Sequence, residues 1–210
     1  MDASAAKQPP PGDATTPTGR LVVFSGPSGA GKTTVVRCVF QRCRQPLVWS
    51  VSATTRSPRP GERNGVDYHF LSEEEFQARR QGGEFLECFQ VFGAGHWYGT
   101  LRGEVDKALA AGKWIVLEID VQGALAVMEQ FPDGLTFFIE PGSIEELERR
   151  LRGRGTETED AIRSRLARAR DEWPVAERYR FRITNEQVDQ AVDEICNILN
   201  QEAETNAHVE

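Results

Sequence analysis

The stretch Gly26-Pro27-Ser28-Gly29-Ala30-Gly31-Lys32-Thr33 fits the spacing G-x-x-x-x-G-K-S/T, with Thr34 next to it. Glycines at those positions let the backbone wrap so that successive N–H groups point inward. Together with a following helix N-terminus they form a nest for an anion. Lys32 can then reach the β- and γ-phosphates of a nucleotide, and the Thr33 hydroxyl can ligate Mg²⁺. Such a loop also calls for an acid at the end of a neighbouring strand to orient the hydrated metal. Glu118-Ile119-Asp120 supplies two candidates at the end of an apolar run. An acid in that position also serves as the N-cap of the next helix, and the two roles are compatible.

Two further groups of residues could bind phosphate. Arg56 and Arg59 share a loop stiffened by Pro58 and Pro60, and Tyr68 follows. Two guanidinium forks and a phenol suit a phosphate monoester, although a solvated basic loop would read the same way. Residues 149–170 carry Arg149, Arg150, Arg152, Arg154, Arg163, Arg165, Arg168 and Arg170 around Gly153 and Gly155. Glu145, Glu146, Glu157, Glu159 and Asp160 are near enough to pair with several of them. Arg149, Arg163 and Arg170 are expected on such a salt-bridged face, while Arg152 and Arg168 stay open. His96 is expected to be surface or packing rather than catalytic.

The elements that must position these groups alternate. Leu21–Ser25, Leu47–Ala53, Trp114–Asp120, Leu135–Glu140 and Phe181–Asn185 are short apolar runs of buried-strand length. Helical patterns over about 31–44 and 187–200, and after the strands near 120 and 140, predict a parallel sheet with helices on both faces. This is an α/β fold with a P-loop NTPase-type core. Residues 54–100 break the rhythm and predict an inserted subdomain, with a helix near Ser72–Gln81 opened by a Ser72/Glu75 capping box. The predicted organisation is a flexible tail over 1–19, a core over 20–53 and 101–203, the insert over about 54–100, an Arg-rich segment near 150–170, and a tail over 204–210.

Composition narrows the function classes. The chain has 210 residues and a net charge of −7, which argues against a nucleic-acid-coating surface. Lysine occurs only at Lys7, Lys32, Lys107 and Lys113. No run is long enough for a transmembrane helix, and the Pro/Ala/Thr-rich start has no apolar signal region. Cys38, Cys43, Cys88 and Cys196 form no C-x-x-C pair, and reduced thiols in a cytoplasmic protein are expected.

Taken in order, GPSGAGKT, SATTRSPRPGERNGVDYHF, EFLE (84–87), YGT (98–100), LEIDVQG (117–123) and RGRGTETED (152–160) resemble the guanylate kinases over about residues 20–203. The resemblance implies an Mg²⁺-dependent transfer from ATP to GMP, giving ADP and GDP. It implies that Arg56, Arg59, Tyr68 and Tyr98 hold the GMP phosphate, and that Ser52, Glu87, Thr100 and Asp120 read guanine. For Glu87 elementary chemistry agrees: a carboxylate accepts from guanine N1–H and N2–H, and adenine lacks the 2-amino donor. The P-loop from Gly26 to Thr34, Arg150 and Asn185 would bind ATP. The Arg-rich segment near 150–170 would be a lid, Lys32, Arg154 and Arg165 would carry the charge of the transferring group, and Thr33 and Asp120 would hold the metal. The resemblance leaves monomer and homodimer both open. CFQVFGAGHW, between Glu87 and Tyr98, runs longer than the family's usual segment, which leaves open which of His96, Trp97 and Tyr98 faces the phosphate. Two rival readings are a phosphopeptide-binding relative and a P-loop kinase for another small molecule. The intact P-loop argues against the first, and the complete guanine-reading set against the second.

Overall fold

A computed structural model describes residues 19–91, 95–153, 155 and 158–207. In chain order the elements are β1 (Arg20–Ser25), α1 (Lys32–Arg42), β2 (Leu47–Trp49), β3 (Ala53–Thr54), β4 (His69–Phe70), α2 (Glu73–Gln81), β5 (Phe85–Val91), β6 (His96–Leu101) and α3 (Arg102–Ala110). There follow β7 (Trp114–Glu118), α4 (Val121–Gln130), β8 (Leu135–Glu140), α5 (Ile144–Gly153), α6 (Glu159–Glu172), a 3-10 turn (Trp173–Arg178), β9 (Phe181–Thr184) and α7 (Val188–Ala207).

The main sheet has five parallel strands in the order β2-β7-β1-β8-β9. Its strands are apolar on both faces because both faces are covered. Val22, Phe24, Phe137 and Ile139 pack toward α1 and α7, and Leu21, Val23, Ile115, Leu117 and Phe138 toward α3 and α4. The second sheet, β4-β3-β6-β5, holds its own small core of Ala53, Phe76, Phe85 and Leu101 beneath α2. The Ser72/Glu75 capping box is present at the start of α2. A third cluster, Leu147, Leu151, Ile162 and Leu166, joins α5 to α6.

The structure departs from the sequence reading in several places. The apolar run Leu47–Ala53 is not one strand: the chain leaves the main sheet after β2 and enters the small sheet at β3, with Ser50 N–H still donating to Val116 O at 2.9 Å. Helix α7 runs on to Ala207, into the segment read as a tail, because its apolar face continues along the core to Ala203. The expectation of reduced thiols is corrected for one pair. Cys43, at the C-cap of α1, and Cys196, on α7, are joined by a disulfide, with Cα atoms 5.2 Å apart. They are separated by 153 positions in sequence, so no local spacing could announce the pairing. Cys38 and Cys88 are free and half-buried. The tail over 1–18 and part of the 88–97 segment lie outside the described residues.

Candidate active site

The ends of β1 and β7 and one face of the small sheet meet α6 around a cleft of about 430 Å³. On its wall stand Gly26, Ser28, Lys32, Ser52, Arg56, Arg59, Tyr68, Glu87, Tyr98, Asp120 and Arg165, all read as site residues from the sequence. Phe89, His96, Glu118, Arg168 and Glu172 stand there as well.

The phosphate loop joins β1 to α1. Gly31 caps α1 in the left-handed conformation, φ 88°, so that the chain can turn directly into the helix. A Cβ on Gly31 would lie 2.6 Å from Asn185 Nδ2, which shows how closely the loop is backed from behind. Asn185 Nδ2 donates to Ala30 O at 2.8 Å. Arg150 donates to Asn185 O at 2.6 Å and to Ala30 O at 3.3 Å. These two residues brace the rear of the loop and are not on the cleft wall. Lys32 Nζ donates to Gly26 O at 2.7 Å and Pro27 O at 3.1 Å. Loss of hydration lowers the pKa of this ammonium, while Glu118, Glu172 and Asp120 favour its charged form. Arg165 reaches over from α6 to donate to Ser28 Oγ at 2.9 Å. Thr34 is exposed on the first turn of α1.

The two acids at the end of β7 and just beyond it have distinct places. Thr33 Oγ1 donates to Glu118 Oε1 at 2.5 Å, which brings hard oxygen donors together at the loop. Asp120 is the N-cap of α4 and accepts from Gly123 N–H at 2.8 Å, while its Oδ2 lies 3.7 Å from Arg168. Among the described residues, no three His, Cys, Asp or Glu side chains converge on a point where they could hold a metal unaided. Oxygen donors in so small a number suit a Mg²⁺ ion completed by water and substrate phosphates.

Opposite the loop, strand pairing sets Glu87 on β5 directly across from Thr100 on β6, just past an irregularity between Phe85 and Glu87. Both side chains are buried, and Thr100 Oγ1 donates to Glu87 Oε1 at 2.7 Å. Burial pushes the Glu87 carboxyl up to about 7, with Asp120 adding to the rise and the Thr100 hydrogen bonds opposing it. A buried acid held this way has an oxygen left for a ligand.

Between these poles lie Arg56, Arg59, Tyr68 and Tyr98. Arg56 makes a two-pronged ion pair with Glu62, 2.9 Å on each arm, and its guanidinium sits 5.4 Å from the Tyr68 ring. Tyr98 meets Tyr68 edge-on at 5.9 Å. Glu62, which the sequence reading passed over, also accepts from Arg59 N–H at 2.7 Å. Its signal was the Pro60-Gly61 turn, which folds Glu62 back over Arg56. Strand alternation settles the neighbours of Tyr98. His96 and Tyr98 line the cleft, whereas Trp97 lies on the other face, its ring 5.8 Å from that of Phe76 and 4.4 Å from the Arg80 guanidinium.

In the arginine-rich segment, Arg149 pairs with Glu146, Arg163 with Asp160, and Arg152 with Glu148 and Glu159. Arg168, left open by sequence, turns into the cleft to Glu172 and Asp120. Arg154 lies outside the described residues.

Known proteins are similar to this chain in sequence and fold. The family model described as guanylate kinase matches residues 18–202. The guanylate kinase of Rhodopirellula baltica is 57% identical over 188 residues, covering 89% of this chain and 90% of the relative. That of Corynebacterium diphtheriae is 46% identical over 87% and 95% of the two chains. Among solved structures, guanylate kinase from Anaplasma phagocytophilum superposes with a TM-score of 0.73 at 35% identity, over 90% and 88% of the chains. A gluconokinase from Sinorhizobium meliloti, at 19% identity and a TM-score of 0.50, shares only the fold. With the match spanning nearly every described residue, the chain belongs to the guanylate kinase family.

Proposed function

We propose that this enzyme transfers the γ-phosphoryl group of ATP to GMP, releasing ADP and GDP. The observation that carries this reading is one cleft with a phosphate loop at one end and a buried Glu87–Thr100 pair at the other. Each end explains one substrate.

At the guanine end, ionised Glu87 accepts from N1–H and N2–H, and the Thr100 hydroxyl holds one carboxylate oxygen in place. Ser52 and Asp120 line the same cleft, where they would border the base. Adenine offers no 2-amino donor, so AMP would leave a buried acceptor unmet. The two-pronged pair with Glu62 orients Arg56 so that it, with Arg59, Tyr68 and Tyr98, meets the GMP phosphate.

At the other end, the loop amides from Gly26 to Thr33 and the Lys32 ammonium bind the ATP phosphates. Lys32 exchanges its hydrogen bonds to the loop carbonyls for phosphate oxygens. Thr33 and Glu118 are the residues that would hold Mg²⁺, with Asp120 acting through water. When bound, the metal would neutralise charge on the ATP phosphates. A GMP phosphate oxygen attacks the γ-phosphorus, and the bond to the ADP oxygen breaks. No general base or covalent intermediate is needed, because positioning and charge supply the catalysis. Arg165, already at Ser28, and Arg154 carry the charge of the transferring group, while Arg150 and Asn185 hold the loop that cradles it. Closure of the arginine segment over both substrates would exclude water and suppress ATP hydrolysis.

A coupled assay of ADP release with GMP, AMP, CMP and dTMP tests the proposal. On the cost of an unmet buried acceptor, GMP should be preferred by about a hundredfold or more; equal activity with AMP would overturn it.

A further inference from the structure

We infer that Gly123 is a specificity-determining position: its missing side chain makes the space in which the Glu87 carboxylate is aimed at the base. The inference rests on Glu87 being the guanine acceptor. Gly123 stands in the first turn of α4, two residues inside a helix whose other members are better helix formers. It is not among the glycines with positive φ, so its backbone poses no torsional demand for glycine. The demand is steric. A Cβ built on Gly123 would lie 2.8 Å from Glu87 Oε2 and 3.2 Å from Glu87 Cδ, inside the 3.0 Å that Cβ atoms essentially never breach for the first of these. It would also come to 3.4 Å from Asp120 Oδ1.

The carboxylate cannot yield without cost to its aim. Thr100 Oγ1 holds Oε1 at 2.7 Å on one side, and on the other Oε2 occupies the space that a side chain at position 123 would need. Glu87 is therefore fixed by the Thr100 hydrogen bond on one side and has room on the other only because position 123 is glycine. Two parallel hydrogen bonds to guanine require both oxygens to lie in the plane of the base, and a shift of a few tenths of an ångström at one oxygen rotates that plane. The Gly123 N–H, bonded to Asp120, is a backbone group and survives substitution. A side chain at Gly123 thus disturbs the guanine end while leaving the helix cap in place.

The experiment is Gly123→Ala, with Glu87→Gln, Glu87→Asp and the Gly123→Ala/Glu87→Asp double variant alongside. In Gly123→Ala the GMP KM should rise about ten- to a hundredfold, the loss of one hydrogen bond to a charged group, with kcat and the ATP KM within about twofold. Asp is shorter and retreats from the new methyl group, so Glu87→Asp should cost less activity on top of Gly123→Ala than in the parent. An unchanged GMP KM in Gly123→Ala, with GMP use lost in Glu87→Gln, would overturn the inference alone. An unchanged GMP KM in Glu87→Gln would overturn the guanine reading on which it stands. Additive losses in the double variant would overturn the steric mechanism. Failure of Gly123→Ala to fold, judged by circular dichroism, would do so too, because the yielding element would then not be the carboxylate.

Discussion

Replacing Glu87 by Gln should make the protein more stable and less able to use GMP, and both effects follow from one buried carboxyl. In the folded protein burial raises Glu87 from 4.5 to about 7, so the fold favours the neutral acid. A raised carboxyl contributes stability that is fully present below pH 4.5 and is lost as the pH climbs through 7. The shift corresponds to roughly 3 kcal/mol at alkaline pH. Gln is neutral at every pH, and its amide oxygen can still accept from the Thr100 hydroxyl. Glu87→Gln and the parent should therefore melt together at about pH 4.5. At about pH 8 the variant should melt about 6–12 °C higher, taking about 2–4 °C per kcal/mol for a chain of this size. Kinetics should move the other way. The second carboxylate oxygen becomes an NH₂ group facing the N–H donors of guanine, and kcat/KM for GMP should fall about 10²–10³-fold, with the ATP KM within about twofold. Thermal melts at both pH values and initial rates with varied GMP measure the two arms. A variant no more stable than the parent at the alkaline pH would refute the assignment of a buried, reluctantly ionised acid. Unaltered GMP kinetics would refute its role in reading the base.

Lys32→Met should lower kcat by about 10²–10³-fold with no loss of melting temperature, since a desolvated ammonium is removed from the loop; retained turnover would exclude Lys32 from charge stabilisation. Glu62→Gln loosens the two-pronged hold on Arg56 and should raise the GMP KM about tenfold while leaving the ATP KM alone, as steady-state kinetics would record. Reduction of Cys43–Cys196 releases a closure of 153 residues and should cost about 2–5 kcal/mol, lowering the melting temperature by about 5–15 °C. Melts of the parent and Cys196→Ser with and without reductant measure this, and a parent indifferent to reductant would contradict the cross-link.

Much of the site was legible in the sequence because its signals are local. The Gly26–Thr33 loop is a contiguous run whose glycines and lysine serve one binding geometry, and Ser72/Glu75 announce a helix start by a spacing of one turn. The apolar runs of β1, β7 and β8 declare a sheet covered on both faces by their lack of alternation. The residues of the small sheet were harder to read. Nothing in the type of Glu87, Thr100 or Glu62 distinguishes a buried reader or brace from an exposed acid or hydroxyl, and only the family resemblance pointed to the first two.

What remained depends on which distant residues share a surface. Pairing of β5 with β6 puts Thr100 opposite Glu87, and strand alternation sends Tyr98 and His96 into the cleft and Trp97 out of it. Contact across 85 positions gives Thr33 to Glu118 rather than to Asp120, whose one oxygen caps α4. Packing of α1 along α7 joins Cys43 to Cys196. The phosphate loop, the α/β core and the family of the chain could all be read from the residues in order, since each is written in contiguous motifs. How Glu87 is gripped, which acid serves the loop and why position 123 has no side chain could be read only from the folded chain, since distances between remote segments exist only after packing.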